Sequence, residues 1–371
     1  MNESELLTNN AHSELFTAMT VGSIAVKNRI VMAPMTRCRA IGNIANDLMA
    51  QYYEQRASAG LIITEGTSPS PNGMGYARIP GIYNKPQVEG WKKVTSAVHK
   101  AGGKIVVQIM HTGRISHQLN MPDGAFILAP SEVKAAGQMW TDSEQMQDFP
   151  LPKSMTSDEL HLTKIEFVTA ARNAIEAGFD GVELHAANGY LLEQFLSPVS
   201  NIRTDNYGGS IENRCRMVLE IVADVAKVIG KGKTGVRISP YGVASDMPHY
   251  DEIDETYAYL LKELNKLDIA YIHLVDHSSM GAPKVPNKIK KMVRDTFRNS
   301  IILSGGYDKS TAEVDIENGK GNLIAFGRPF ISNPDLVERY QNNWSLNKVL
   351  EMDTFYAADQ KGYTDYPFHK A

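Results

Sequence analysis

GFDGVELHAANGYLLEQFLSP, at residues 178–198, holds one complete strand-to-helix unit. GVELH (181–185) is short and apolar enough to be a strand buried on both faces. Asn188 falls in the turn that follows, and residues 191–196 return as a helix. Seven more strands of this kind flank it: RIVMA (29–33), LIIT (61–64), KIVVQIM (104–110), TGVRIS (234–239), AYIHLV (270–275), IILS (301–304) and NLIAF (322–326).

Helical patterns separate the strands. Asp47 is placed to cap a helix carrying Leu48 and Tyr52 that ends before Gly60. Pro86 opens one with Val88, Trp91, Val94 and Val98, closed by Gly102 and Gly103. Thr156 and Glu159 are spaced as a capping box ahead of Ile165, Val168 and Ile175, with Gly178 ending that helix. Residues 211–229 and 256–267 are also amphipathic. Eight strand-then-helix units predict a parallel sheet, and eight is the number that closes a barrel. The expected fold is therefore α/β: a single (β/α)8 TIM-barrel domain spanning residues 1–371.

Two segments stand outside the repeat. Residues 16–28 read as a hairpin turning at Val21-Gly22-Ser23, placed to plug the bottom of the barrel. Residues 111–154 form a long loop after the third strand, and 112–155 is expected to be a capping lid at the end where barrel active sites are built. The tail, 355–371, contains three tyrosines and is expected to fold back over the barrel.

Net charge is −4, so nothing points to nucleic acid. The basic run 284–298 carries Ile289, Met292, Val293 and Phe297 at helical spacing and reads as a solvated amphipathic helix. No apolar run is long enough to cross a bilayer, and residues 1–16 lack the apolar core of a leader. The two cysteines, Cys38 and Cys215, form no framework. A cytoplasmic location is expected.

At the strand ends sit Ala33-Pro34-Met35-Thr36, Glu65-Gly66-Thr67, Gln108, Met110, His185, Arg237, Asp276, Gly305-Gly306 and Gly327-Arg328. No lysine is among them, which argues against Schiff-base chemistry. No His and carboxylate set converges on a metal. His273 and His277 are four apart, but one lies in a strand and the other in its loop, so they do not share a helical face. The set suits a large planar ligand ending in phosphate. Gly305, Gly306, Gly327 and Arg328 follow strands seven and eight, where barrels commonly hold phosphate.

The motifs APMTR (33–37), QYYEQRASAGLIITEGT (51–67), VQIMHTGRISH (107–117), the opening stretch, NIRTDNYGGSIENR (201–214), VRISPYG (236–242), AFGRPFISNPDL (325–336) and GYTDYP (362–367) together resemble the Old Yellow Enzyme family of FMN-dependent ene-reductases. The likeness runs from about residue 14 to 367, and the 178–198 and 201–214 stretches are its most specific parts.

That resemblance implies FMN. Thr36 would bond the flavin ring near its C4 carbonyl and Gln108 its pyrimidine edge. Arg237 would sit near N1, and Ala33, Pro34, Gly66 and His185 would line the ring, Pro34 and Gly66 through backbone. His185 and Asn188 would hold the oxygen of an activated alkene as hydride arrives from flavin N5. Tyr190 would protonate the α carbon. Tyr76 and Tyr356 would line the substrate pocket. Many relatives have a second histidine at the position of Asn188 and a tryptophan at that of Met110; the thioether leaves more room.

The implied activity is that of an NAD(P)H-dependent flavin oxidoreductase, with NADPH favoured. Its partner would be a small electrophilic alkene, nitro compound or quinone, and the protein a monomer or homodimer. Arg114 and Lys134 are candidates to meet a 2′-phosphate. Asp276 and Ala244 have no role readable from sequence. Two other readings compete. An iron–sulfur relative needs a cysteine cluster that is absent. A non-catalytic FMN sensor or flavin store needs no proton donor.

Overall fold

The structure, a computed structural model, describes residues 13–348 and 350–370. Most of the N-terminal stretch read as lacking a leader lies outside them. No helix among the described residues is long and apolar enough to cross a membrane.

Among the described residues a short 3-10 turn (Glu14–Phe16) is followed by an antiparallel hairpin, β1 (Met19–Val21) and β2 (Ile24–Val26). It then enters the barrel through β3 (Ile30–Met32), β4 (Leu61–Thr67) and β5 (Ile105–Ile109). Short strands β6 (Leu128–Ala129), β7 (Gln138–Thr141), β8 (Gln145–Asp148) and β9 (Lys153–Ser154) interrupt it. The barrel resumes with β10 (Gly181–Ala186), β11 (Thr234–Ile238), β12 (Tyr271–Val275), β13 (Ser300–Ser304) and β14 (Leu323–Phe326). Neighbours pair in parallel, and β14 returns to β3, so the sheet has no free edge.

All eight expected strands are present, with shifted ends. β4 runs on to Thr67 through a register shift between Ile63 and Gly66. Two helix starts also differ. Asn46, not Asp47, is the cap of the first helix, its side chain accepting from the Met49 N–H. The helix expected to begin at residue 256 begins three residues earlier, as Ile253–Leu267. The Thr156–Glu159 capping box forms as expected.

Side chains alternate along each strand. Ile62, Val107, Leu184, Val236 and Ile272 point outward to helix residues such as Trp91, Phe167, Val218 and Leu260. Leu61, Ile63, Val106, Ile302 and Leu323 point inward and pack with Val21, Ile24 and Val26 of the hairpin. The Ser23 N–H also donates to the Gly232 carbonyl, 2.8 Å away, just before β11. A Cβ on Gly22 would collide with that same carbonyl, and its φ is +59°. The hairpin thus covers the N-terminal mouth, leaving the C-terminal mouth for a ligand.

The long insertion is more ordered than a loop. β7 and β8 form an antiparallel hairpin. Met139 and Phe149 pack with Ile115 and Ala135 in a small separate core, against which Tyr76 and Tyr190 rest. The tail is held by buried arginines. Arg37 donates to the carbonyls of Phe355 (3.1 Å) and Gly362 (2.7 Å). Arg39 donates to those of Phe355 and Thr354, both at 2.6 Å. Tyr363 stacks on Tyr52 with ring centroids 4.0 Å apart. Each guanidinium is satisfied by backbone oxygen, so the tail cannot leave without stranding buried charge.

Candidate active site

Strand register builds the floor of the open mouth. Gln108 pairs with Glu183, His185 with Arg237, and Arg237 with His273. All these side chains are buried. Glu183 accepts from Gln108 Nε2 at 2.8 Å and meets His273 Nδ1 at 2.9 Å. Burial pushes the Glu183 carboxyl up, but His273, Arg237 and the Gln108 hydrogen bond together hold it below the usual range. A carboxylate only accepts, so the Gln108 amide nitrogen faces Glu183 and its carbonyl is left for the cavity.

Two groups on this floor lack partners. Arg237 is 6% exposed, its buried Nε has no partner, and its guanidinium feels Glu183 only at a distance, without a hydrogen bond or ion pair to it. His185 is 3% exposed, and its buried Nδ1 has no partner. Burial, then the nearby Arg237, His273 and His277, push its imidazole well below the usual range, so it is neutral at pH 7. An unpartnered buried guanidinium is costly on its own. It suits a site built to receive electron-rich atoms.

The turn after β10 presents the next groups. Asn188 and Gly189 both have positive φ, +59° and +75°. Asparagine tolerates that region and glycine occupies it without cost. Glu193 holds the turn from below. It accepts from the Gly189 N–H (2.6 Å), the Ser239 hydroxyl (2.7 Å) and the Tyr257 hydroxyl (2.8 Å). Burial raises its carboxyl to about 7 against the pull of those three donors. The Asn188 N–H donates to Ser239 Oγ at 2.8 Å. Its side-chain Oδ1 lies 2.9 Å from His277 Nε2. Tyr190 follows, its ring edge-on to His185 with centroids 5.1 Å apart and its hydroxyl 2.8 Å from that of Tyr76. Burial pushes the Tyr190 phenol up to about 12.

Two adjoining cavities share Pro34, Thr36, Arg237 and Tyr356. The larger, about 840 Å³, is lined also by Gly66, Tyr76, Gln108, Met110, His185, Asn188 and Tyr190. The smaller, about 470 Å³, is lined by Ala33, Gly305, Gly306, Gly327 and Arg328. The residues named from the resemblance for the flavin and the alkene thus border one cavity or the other. Gly305 has φ +142°, and a Cβ there would collide with the Asp276 carbonyl. Only glycine fits that lip. Gly66 is less constrained: a Cβ there would lie 2.5 Å from Sδ of the flexible Met110 side chain, which could move aside.

These features fit FMN. The smaller cavity offers glycine backbone and the exposed Arg328 for a phosphate, and the shared floor offers a donor-rich face for a planar ring. The His273 and His277 pair holds no metal set, and no such cluster occurs among the described residues.

Some sequence expectations do not hold. Arg114 is buried and donates to the carbonyls of Asp246 (2.5 Å) and Val133 (3.4 Å), tying the insertion to the loop after β11. Its remaining Nε–H is buried without a partner, so it presents no exposed edge to a 2′-phosphate, and Lys134 borders neither cavity. Asp276, without a readable role, pairs with Lys290 at 2.7 Å and accepts from the Ser278 N–H at 3.0 Å, so it shapes the loop beside Gly305. Glu183, Glu193 and His277 were missed. Glu183 and Glu193 lie inside the most specific motif, but apart from Gly189, four positions from Glu193, their partners sit 46 to 90 positions away in the chain and leave no local signal.

Residues 14–347 match the family described as NADH:flavin oxidoreductase / NADH oxidase. The chain is 39% identical to 12-oxophytodienoate reductase 7 of Oryza sativa subsp. japonica, over 95% of this chain and 94% of the relative. A flavin oxidoreductase of Emericella nidulans is also 39% identical, over 95% and 97%. Among solved structures, morphinone reductase superposes with TM-score 0.92 at 40% identity, covering 96% of each chain. Its complex with tetrahydroNAD gives 0.91 at 40%, covering 97% and 98%. The Old Yellow Enzyme homologue from Zymomonas mobilis gives 0.90 at 38%, covering 95% and 99%.

Proposed function

The chain belongs to the NADH:flavin oxidoreductase / NADH oxidase family, the Old Yellow Enzyme group, and from that premise we propose that it reduces the activated carbon–carbon double bond of a small enone, nitroalkene or quinone. The observation that carries this reading is the pair of unpartnered buried groups, Arg237 and His185, side by side where the two cavities meet.

FMN, when bound, takes hydride from a nicotinamide coenzyme and supplies it to an electron-poor carbon. Thr36, Gln108 and Arg237, with the backbone at Ala33, Pro34 and Gly66, would hold its ring, and Gly305, Gly306, Gly327 and Arg328 its phosphate. His185 and Asn188 are neutral donors aimed into the larger cavity. They hold the substrate oxygen and favour the negative charge that grows on it. Tyr190 keeps its proton at neutral pH and gives it to the α carbon. Tyr76, Met110 and Tyr356 shape the space around the alkene. Relatives named as reductases of 12-oxophytodienoate and morphinone support such a substrate, and the tetrahydroNAD complex of morphinone reductase supports a nicotinamide reductant.

The test is the visible spectrum of the purified protein. Flavin bands that bleach with anaerobic NADH or NADPH and return with 2-cyclohexenone support the reading; comparing the two coenzymes reads out the preference. A protein that holds no FMN after reconstitution overturns it. Bleached bands that no alkene restores would instead favour a flavin store.

A further inference from the structure

His277 lies two residues beyond β12 and borders the smaller cavity, yet its Nε2 reaches Asn188 Oδ1, 2.9 Å away, on the rim of the larger one. A carboxamide has two ends of the same shape and opposite chemistry, an acceptor oxygen and a donor NH₂. Nothing in its own sterics decides which end faces the substrate. The backbone of Asn188 is pinned separately, by its left-handed φ and by Ser239. The only side-chain hydrogen bond of Asn188 to a described residue is the one to His277.

We propose that His277 is a positioning residue for Asn188: its Nε2–H donates to Oδ1, which turns the Asn188 NH₂ toward the substrate oxygen. This rests on the ene-reductase reading given above. The alternative tautomer, with Nε2 bare, would draw the NH₂ to itself and present Oδ1 to the cavity. A lone-pair oxygen there would repel the charge that develops on the substrate. The direction of one proton on His277 therefore decides whether the second oxygen-binding group helps or opposes the reaction. His277 is neutral at pH 7, since burial and the nearby Arg237 lower it to about 4, so it carries one ring proton and the choice of nitrogen is real. A histidine in place of Asn188 would need no such partner, because each ring nitrogen can be oriented by rotation and tautomer together.

Two measurements test this on the FMN-loaded protein. Nitrogen-15 NMR of histidine-labelled protein, with His277 assigned by its loss in His277→Gln, reads the tautomer directly and needs no turnover. The Nε2–H form is expected, and the Nδ1–H form overturns the proposal. A double-mutant cycle on 2-cyclohexenone reduction reads the coupling. His277→Phe should lower kcat/KM roughly five- to tenfold, the scale of one net hydrogen bond. His277→Gln, which restores a donor, should recover most of that loss. In an Asn188→Ala background, His277→Phe should have no further effect. Effects that simply multiply would mean that His277 acts elsewhere, and would overturn the proposal while leaving the functional reading intact. A native protein that reduces no alkene would sink the functional reading and, with it, the positioning role.

Discussion

The hydroxyls of Tyr76 and Tyr190 lie 2.8 Å apart with their rings at 86°. Tyr190 sits after β10, and Tyr76 in the loop after β4, so two distant barrel loops meet at the proposed proton donor. Tyr76 can donate to Tyr190 and resupply its proton after transfer. Tyr190→Phe should cut alkene reduction by about 10²-fold or more while NAD(P)H still bleaches the flavin. Tyr76→Phe should cost less, roughly threefold to tenfold. Rapid-mixing measurement of the two half-reactions separates these effects. Unchanged alkene turnover in Tyr190→Phe would remove it as donor.

Tyr190 is pushed up to about 12, and His185 well below its ordinary 6.5. A raised phenol keeps its proton at every pH below that value, and a lowered imidazole stays neutral above its own. Neither group changes state near neutrality. The rate of alkene reduction in single turnover should therefore be flat from about pH 6 to about pH 9. An inflection near pH 7 that persists in Glu193→Gln, whose parent carboxyl is raised to about 7 beneath this turn, would show that some other group donates the proton.

His185→Ala removes one donor from the oxygen-binding pair. A loss of about 3 kcal/mol in transition-state stabilisation, roughly 10²-fold in kcat/KM, is expected. Flavin content should be largely kept, since Arg237 and the glycine lip remain. Wild-type-like kcat/KM in this variant would place substrate binding elsewhere.

The buried Nε of Arg237 has no partner among the described residues. Arg237→Met should change the melting temperature of the flavin-free protein little, because relief of the guanidinium's desolvation is offset by the lost attraction to the buried Glu183 carboxylate. The same change should weaken FMN binding. Thermal melts with and without FMN check both effects; a variant markedly less stable in both states would mean that Arg237 is structural.

Glu65 is fully buried, beside the Tyr53 hydroxyl 3.2 Å away. Burial raises its carboxyl from 4.5 to about 7, against the Tyr53 hydrogen bond and the nearby Arg37 and Arg39. The folded state thus holds this proton more tightly than the unfolded chain. That contribution to stability is full below about pH 4.5 and is lost as pH rises through about 7. Glu193, raised to about 7, acts in the same direction. Glu65→Gln keeps an oxygen for Tyr53 and should flatten the fall in melting temperature between these pH values. An equally steep fall in the variant would assign the dependence to other groups.

Strand count, barrel class and the strand-end residues were legible in the sequence because each depends on local pattern. A run such as GVELH is apolar because both faces of β10 are buried, and the residue where it ends must face the mouth. The glycines at 305 and 306 were legible for a similar reason, since one backbone position imposes its own demand. What tertiary structure alone decided is who meets whom. Glu183 finds Gln108 on the adjacent β5 and His273 on β12, two strands away, and Glu193 finds Ser239 at the end of β11 and Tyr257 on the helix that follows it. Arg114, a cation that sequence offers to solvent or to a phosphate, is instead consumed by backbone carbonyls in the interior. Nothing in the sequence around His277 points to Asn188, against which the fold lays it. Hydrogen bonds and charge pairs act over about 3 Å in space whatever the separation along the chain. Their partners are therefore chosen by strand register and barrel closure, which no local pattern records.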